Sequence, residues 1–127
     1  MLQTAVHYCL HFLAIGLIAY FYDKQHWKKA WLILIATMAV DIDHIFATPL
    51  FDPTRCGIGY HPLHSEIAIL GYIIGAIVIR NKLIKLIFIG LLFHMFTDLI
   101  DCLWTFSKCE TCYIQSKIYE WMALFKN

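Results

Sequence analysis

Apolar and polar residues follow one another along the chain in long blocks. Four apolar blocks, residues 2–22, 30–46, 63–79 and 83–104, are separated by short polar connections. A helix that crosses the hydrocarbon core of a bilayer needs about 17–25 mainly apolar residues, so each block is predicted to be a transmembrane helix. The third block is the weakest, because Ser65 and Glu66 shorten its apolar part.

A tail, residues 105–127, follows the last block and carries apolar side chains at helical spacing around Lys117 and Glu120. It is too short and too charged to span, which is typical of an amphipathic helix in the membrane interface. We therefore predict one all-α domain over residues 1–127, an integral membrane bundle of four transmembrane helices plus this interfacial helix. The composition agrees, since 61% of the residues are hydrophobic against about 45–50% in soluble domains.

The first block is expected to stay in the mature protein as a helix, because no basic segment precedes it and no small-residue cleavage site follows it. Most basic residues fall in the next two connections, 23–29 and 80–85. By the positive-inside rule these connections face the cytoplasm, so both termini and the loop 48–62 lie outside. The formal net charge of +1 offers no large basic surface, and nucleic acid is not an expected partner.

Ionisable residues interrupt all four apolar blocks at one predicted depth. Counted from the basic connections at about 1.5 Å per helical residue, they lie roughly 14–24 Å away, in the outer half of the bilayer. Within each block they are three or four residues apart and share a helix face. The candidate metal ligands are His7, His11, Asp41, Asp43, His44, His64, His94 and Asp98.

Charged groups at that depth are costly and usually face a bundle interior or a cavity. A cation would offset the burial of carboxylates, and mixed imidazole and carboxylate donors suit zinc first, with manganese or iron as alternatives. The sequence thus predicts a site for one or two divalent ions. Each pair taken singly has a plainer interpretation, as interfacial histidines, a polar helix end or a hydrogen-bonded structural pair.

Asp43 and the histidines around the second loop leave alternatives open. Asp43 and Asp41 point about 200° apart on a regular helix, so both bind only if the helix loosens before Pro49 or two metals lie side by side. Otherwise Asp43 orients a histidine ligand. His64, at the start of the third helix, is preferred as a ligand over His61 in the loop, whose role stays open.

The expected activity is hydrolysis of a lipid or lipid-linked phosphoester entering from the outer leaflet. Asp101 or Glu66 is a candidate proton shuttle, although Glu66 also suits the first turn of a helix. Arg55 is a candidate phosphate contact in a mobile loop. The alternatives are a metal sensor or carrier without catalysis and, less favoured, a di-iron membrane oxygenase; the almost purely apolar inner halves of the helices argue against ion passage.

Five cysteines are present, four of them on the predicted outer side, where disulfides are permitted if that side is a bacterial periplasm. Cys56 and Cys102 would then join the second loop to the end of the fourth helix. Cys109 and Cys112 either pair locally or stay reduced, and a zinc site of the four cysteines is a less favoured alternative. Cys9 is interpreted as a small apolar filler.

The order of motifs resembles a known group of membrane-bound metal-dependent hydrolases. A histidine in the first helix, "DIDH", "HS" and "HMFTD" are similar to the family of the so-called LexA-binding inner-membrane-associated hydrolase. Longer stretches, "DIDHIFATPLFDPTRCGIGYHPLHS" among them, look like a small uncharacterised family of integral membrane proteins known chiefly from Bacteroidetes. The resemblance covers residues 7 to 104 and omits the tail.

That resemblance implies a bacterial inner-membrane location and a distant relation to zinc-dependent phospholipase C, which also uses scattered histidine and aspartate ligands on helices. By position it carries over the ligand set given above, with His7 or His11 from the first helix. The larger family shows His-Arg-x-x-Thr-His-Ser before its third helix. Here "HPLHS" lacks that arginine and threonine, which leaves open the role of His61 and the choice of substrate.

Overall fold

A computed structural model describes residues 1–48, 56–109 and 117–125 of the chain. Within these ranges the regular structure is helical and no strand occurs, which confirms the all-α prediction for the described part. Arg55 and Cys112, both singled out in the sequence, lie outside the described residues.

The first apolar block folds as one continuous helix, Leu2–Tyr22, as its hydropathy predicts. It consists of α1 (Leu2–Cys9), a π-helical turn (Leu10–Ala14) and α2 (Ile15–Tyr22). A π-turn inserts an extra residue into the helix and is frequent at functional sites. His11 lies in this turn and is buried.

The second block changes helix type halfway along its length. It begins as α3 (Trp27–Ala36), earlier than the predicted residue 30, and continues as a 3-10 helix (Thr37–Phe46). The 3-10 segment carries Asp41, Asp43 and His44 and is narrower than an α-helix, with three residues per turn. The segment before Pro49 therefore departs from a regular α-helix, although it tightens where a loosening was considered.

The third and fourth blocks form helices of very different length. A 3-10 turn (Pro62–His64) precedes α4 (Glu66–Val78), whose first turn is capped by Ser65 Oγ accepting from the N–H of Ala68 at 3.3 Å. Then α5 (Lys82–Lys108) runs on beyond the predicted residue 104. The helices Leu2–Tyr22 and α5 are long and apolar enough to cross a membrane; α4 is a shorter apolar helix.

Helix α5 is the centre of the bundle and packs against α1, α3, α4 and the 3-10 helix. One core cluster, at the end with the basic connections, includes Ile15, Ala19, Ala30, Leu34 and Leu86. The other, at the opposite end, includes Val40, Ile58, Met95, Phe106 and the disulfide-bonded pair Cys56 and Cys102. The predicted Cys56–Cys102 disulfide is thus confirmed.

The tail forms α6 (Lys117–Phe125) as expected from its periodicity. Tyr119, Trp121 and Met122 pack against the core cluster that contains the disulfide, so this face of the amphipathic helix contacts protein. Leu124 is exposed. The helix is therefore amphipathic, with part of its apolar side covered by the bundle.

Candidate metal centre

Four of the predicted ligands, from three separate helical segments, converge on one point. Asp41 comes from the 3-10 helix, His64 from the turn before α4, and His94 and Asp98 from successive turns of α5. One ligand atom from each lies within 4.8 Å of the ligand atoms of the other three. We call this set the first group, and its four atoms could hold a metal ion.

The distances within the first group fit a tetrahedral ion. His64 Nε2 lies 3.3 Å from Asp41 Oδ1 and 3.4 Å from Asp98 Oδ2. His94 Nε2 lies 3.1 Å and 3.2 Å from the same two oxygens. Ligands about 2.0–2.1 Å from a tetrahedral zinc are separated from one another by about 3.3 Å. The four measured distances match this separation, and they correspond to four of the six edges of a tetrahedron.

Asp43 sits behind His64 and contacts its other ring nitrogen. Its Oδ2 lies 3.1 Å from His64 Nδ1 and accepts a hydrogen bond from the N–H of Leu63 at 2.8 Å. A carboxylate only accepts, so it places a proton on Nδ1 and leaves the lone pair of Nε2 facing the first group. Of the alternatives open for Asp43, the geometry matches the one in which it orients a histidine.

His64 Nε2 is buried and has no hydrogen-bond partner within the described part of the chain. Its lone pair and two carboxylate oxygens face one another at 3.3–3.4 Å, and three electron-rich atoms repel at that distance. Only a cation among them, either a metal ion or an extra proton on the imidazole, relieves this repulsion. No lysine or arginine of the described ranges pairs with Asp41, Asp43 or Asp98.

Asp98 also belongs to a second group, formed with His7 and His11 of the first helix. Its Oδ1 lies 3.5 Å from His11 Nε2, while its Oδ2 faces His64 and His94. The two oxygens of one carboxylate therefore serve two neighbouring sets of donors. His7 and His11 lie on one helix face with ring centroids 4.5 Å apart.

Asp101 stands at the outer edge of the second group. Its Oδ1 lies 3.9 Å from His7 Nδ1 and accepts a hydrogen bond from Gln3 Nε2 at 3.0 Å. Lys108 in turn donates to Gln3 Oε1 at 2.9 Å. Sequence reasoning missed Gln3, although its four-residue step to His7 places the two on one helix face.

His44 and His61 form a stacked pair beside the first group, with ring centroids 3.9 Å apart. His44 Nδ1 lies 3.2 Å from Asp43 Oδ1, and Asp43, His44 and His64 make a third group of donors. His61 is buried and stacks on the His44 ring, a contact that its predicted place in a loop did not indicate. Gly59, with φ of 77°, bends the loop here, a conformation that favours glycine.

Burial is uneven across the centre. His11, His64 and His94 are all at least 97% buried, whereas the Asp41 side chain is 43% exposed. The first group therefore opens to the surface beside Asp41. Glu66, the other candidate proton shuttle, is exposed in the first turn of α4 and is in none of the three groups of described residues.

Comparison with known proteins identifies the family. Residues 1–105 match the model of a family of unknown function, DUF6122, and the chain belongs to it. The matched segment contains all the donors of the three groups and ends before α6. Neither the search of curated proteins nor the search of solved structures found a match.

Proposed function

We propose that this DUF6122 member is a membrane-embedded metal-dependent hydrolase that cleaves a phosphoester in a lipid or lipid-linked substrate. The observation that carries the proposal is the first group, in which two imidazole nitrogens and two carboxylate oxygens are spaced as the edges of a tetrahedron. An ion in the second group, which has three protein donors, would keep an open position for water, would lower the pKa of that water and would stabilise negative charge on phosphoryl oxygens.

Exposed apolar surface supports placement in a bilayer with all four apolar blocks as spans. Helix α4 exposes Ile67, Leu70, Ile74 and Ile77 along one stripe, and contiguous exposed apolar surface marks a membrane or protein contact. The 3-10 helix exposes Ile42, Ile45 and Phe46. Because α4 is short, we infer that it crosses a locally thinned bilayer; the basic connections face the cytoplasm and the centre lies near the outer face.

We infer two zinc ions, with manganese or iron as substitutes. The first group has four protein donors, which occupy all four coordination positions of a tetrahedral ion. The second group has three, His7, His11 and Asp98, and three protein ligands leave the open position that catalytic zinc sites keep. Asp98 would be a ligand in both groups, because its Oδ1 faces His11 and its Oδ2 faces His94.

Other residues then take roles around the bound substrate. The exposed edge of Asp41 gives an anionic headgroup a path to the centre from the outer leaflet. Asp101, beside His7, is placed to accept a proton, and Glu66 is the less favoured shuttle because it is outside the groups. Arg55 stays a proposed phosphate contact on the loop 48–62.

The test begins with metal content of the full chain purified in detergent, by elemental mass spectrometry. We expect about two zinc ions per chain, loss of both in Asp98→Ala and loss of about one in His11→Ala. His26→Ala is the matched control, because His26 is exposed and pairs with Asp23 far from the centre. Phosphodiester and phospholipid turnover should follow the metal; a wild-type chain without bound metal contradicts the proposal.

A second candidate is a metal sensor without catalysis. It is favoured by the first group alone, since four protein donors on a tetrahedral ion leave no open position for water. One tightly bound zinc per chain, unaffected by His11→Ala and accompanied by no turnover, supports this candidate. Two iron ions per chain favour the di-iron oxygenase instead.

A further inference from the structure

A cavity of about 290 Å³ lies at the end of the bundle opposite the metal centre. Its polar rim includes Asp23, Lys29 and Lys82, and its apolar wall includes Ile33, Leu83 and Leu86. The cavity is bounded by the end of the first helix, by α3 and by the start of α5. None of its lining belongs to the three groups of donors.

The rim carries a net positive charge, because Lys29 and Lys82 face the single carboxylate of Asp23. Neither Lys29 nor Lys82 forms an ion pair with any residue that the structure describes. The connections 23–29 and 80–85 together hold six basic residues and one carboxylate, Asp23. Two ammonium groups on separate helices thus face one cavity.

Asp23 offsets one of the two ammonium charges, and its hydrogen bonds hold it against the turn before α3. Its Oδ1 accepts the N–H groups of His26 at 3.0 Å and Gln25 at 3.1 Å, and its Oδ2 lies 3.3 Å from His26 Nδ1. The backbone hydrogen bond from His26 lowers the pKa of the Asp23 carboxyl. Asp23 is therefore an ionised group bound to the turn before α3.

Cations and apolar side chains are arranged in layers. Ile33 follows Lys29 by four residues on α3, and Leu86 follows Lys82 by four on α5, so each apolar residue is about 6 Å deeper along its helix. The Tyr22 hydroxyl donates to the carbonyl of Lys82 at 2.8 Å and joins the first helix to the start of α5. A ligand that fits has an anionic head and an apolar body.

We propose that this cavity binds an anionic phospholipid of the cytoplasmic leaflet, with Lys29 and Lys82 contacting its phosphate and Ile33, Leu83 and Leu86 contacting the start of its acyl chains. Basic pockets between transmembrane helices on this side of a membrane bind such headgroups. The inference rests on the proposed membrane placement and is independent of the metal centre and of hydrolysis.

The test is native mass spectrometry of the full chain in detergent, titrated with phosphatidylglycerol or phosphatidylcholine. We expect preferential retention of phosphatidylglycerol and a roughly 30-fold weaker retention by Lys29→Gln/Lys82→Gln. The matched control is Lys24→Gln/Lys28→Gln, which removes the same charge from the same end. Lys24 and Lys28 lie near the rings of Tyr20 and Trp27 and do not line the cavity.

Equal weakening in both double variants overturns the proposal, because charge alone would then explain retention. Equal retention of the two lipids by the wild type also overturns it. Displacement by millimolar inorganic phosphate would show a free phosphate site in place of a lipid site. If the double variant does not fold, the single variant Lys82→Gln provides the same comparison. Metal content is measured on the same samples, so failure of lipid binding is distinguished from failure of the proposed hydrolase.

Discussion

His64 and Asp43 are joined through Nδ1 and Oδ2 at 3.1 Å, across 21 residues of sequence. His64 has no exposed surface and Asp43 is 2% exposed, so this contact is buried inside the protein. Asp41 and Asp98 face the opposite nitrogen of the same ring. One imidazole thus lies between a carboxylate that sets its tautomer and two carboxylates that face its Nε2 lone pair.

Substitution of Asp43 by Asn should therefore weaken metal binding without removing a ligand. An amide in place of the carboxylate no longer fixes the proton on His64 Nδ1, and loss of such an orienting partner lowers metal affinity by about 10–100-fold. Competition with a fluorescent zinc chelator measures the change in affinity. Unchanged affinity in Asp43→Asn, beside complete loss in Asp98→Ala, would leave Asp43 with a purely structural role.

The convergence of donors was predictable because the rise of a helix is nearly constant. Depth counted from Lys29 and Lys85 brought Asp41, His94 and Asp98 to one level, and the structure places these three together. The position of Asp43 was not predictable in the same way. Its direction depends on the 3-10 geometry of residues 37–46, which the apolar pattern of that block does not encode.

Other features arise from tertiary contacts that no local pattern records. The π-turn at His11 and the stacking of His61 on His44 both depend on what packs nearby. The 3-10 turn Pro62–His64 occupies the start of the predicted third span, so α4 begins only at Glu66. Helix type and side-chain partners thus required the structure, whereas the order and placement of the helices largely followed from hydropathy.

Asp101→Asn should separate proton transfer from metal binding. Asn retains an oxygen that can accept from Gln3 Nε2, as Asp101 Oδ1 does at 3.0 Å, so the local packing is kept. We expect unchanged metal content and turnover lower by about 100-fold, the usual contribution of a general base. Assay of both quantities on one preparation provides the check, and full activity in Asp101→Asn would remove this residue from the mechanism.

Gly90→Ala should destabilise the bundle next to the metal centre. A Cβ at Gly90 would lie 2.7 Å from Thr37 Cγ2 and 2.9 Å from Leu34 Cδ2, and overpacking of this kind costs about 1–3 kcal/mol. Thermal unfolding in micelles measures the change. Gly71→Ala is the matched control, because nothing lies within 4 Å of its added Cβ; equal midpoints for the two variants would contradict the close approach of α3 and α5.

The Cys56–Cys102 disulfide should contribute strongly to stability. It closes a segment with a sequence separation of 46, for which the chain-entropy model gives about 4 kcal/mol. It also joins Cys56, just ahead of the loop that carries His61 and His64, to α5 one turn beyond Asp98. Cys56→Ser/Cys102→Ser should therefore unfold at lower temperature and bind metal more weakly.

Cys9→Ser is the control for that comparison, since Cys9 is exposed and free and its replacement should leave both quantities unchanged. Thermal unfolding monitored by circular dichroism, together with metal content before and after dialysis, distinguishes two outcomes. A lower unfolding midpoint with full metal content means that the metal centre is held by the helices alone. Loss of metal in the double serine variant means that the disulfide is needed to keep His64 against Asp41 and Asp98, because His64 is the ligand nearest to the tethered loop.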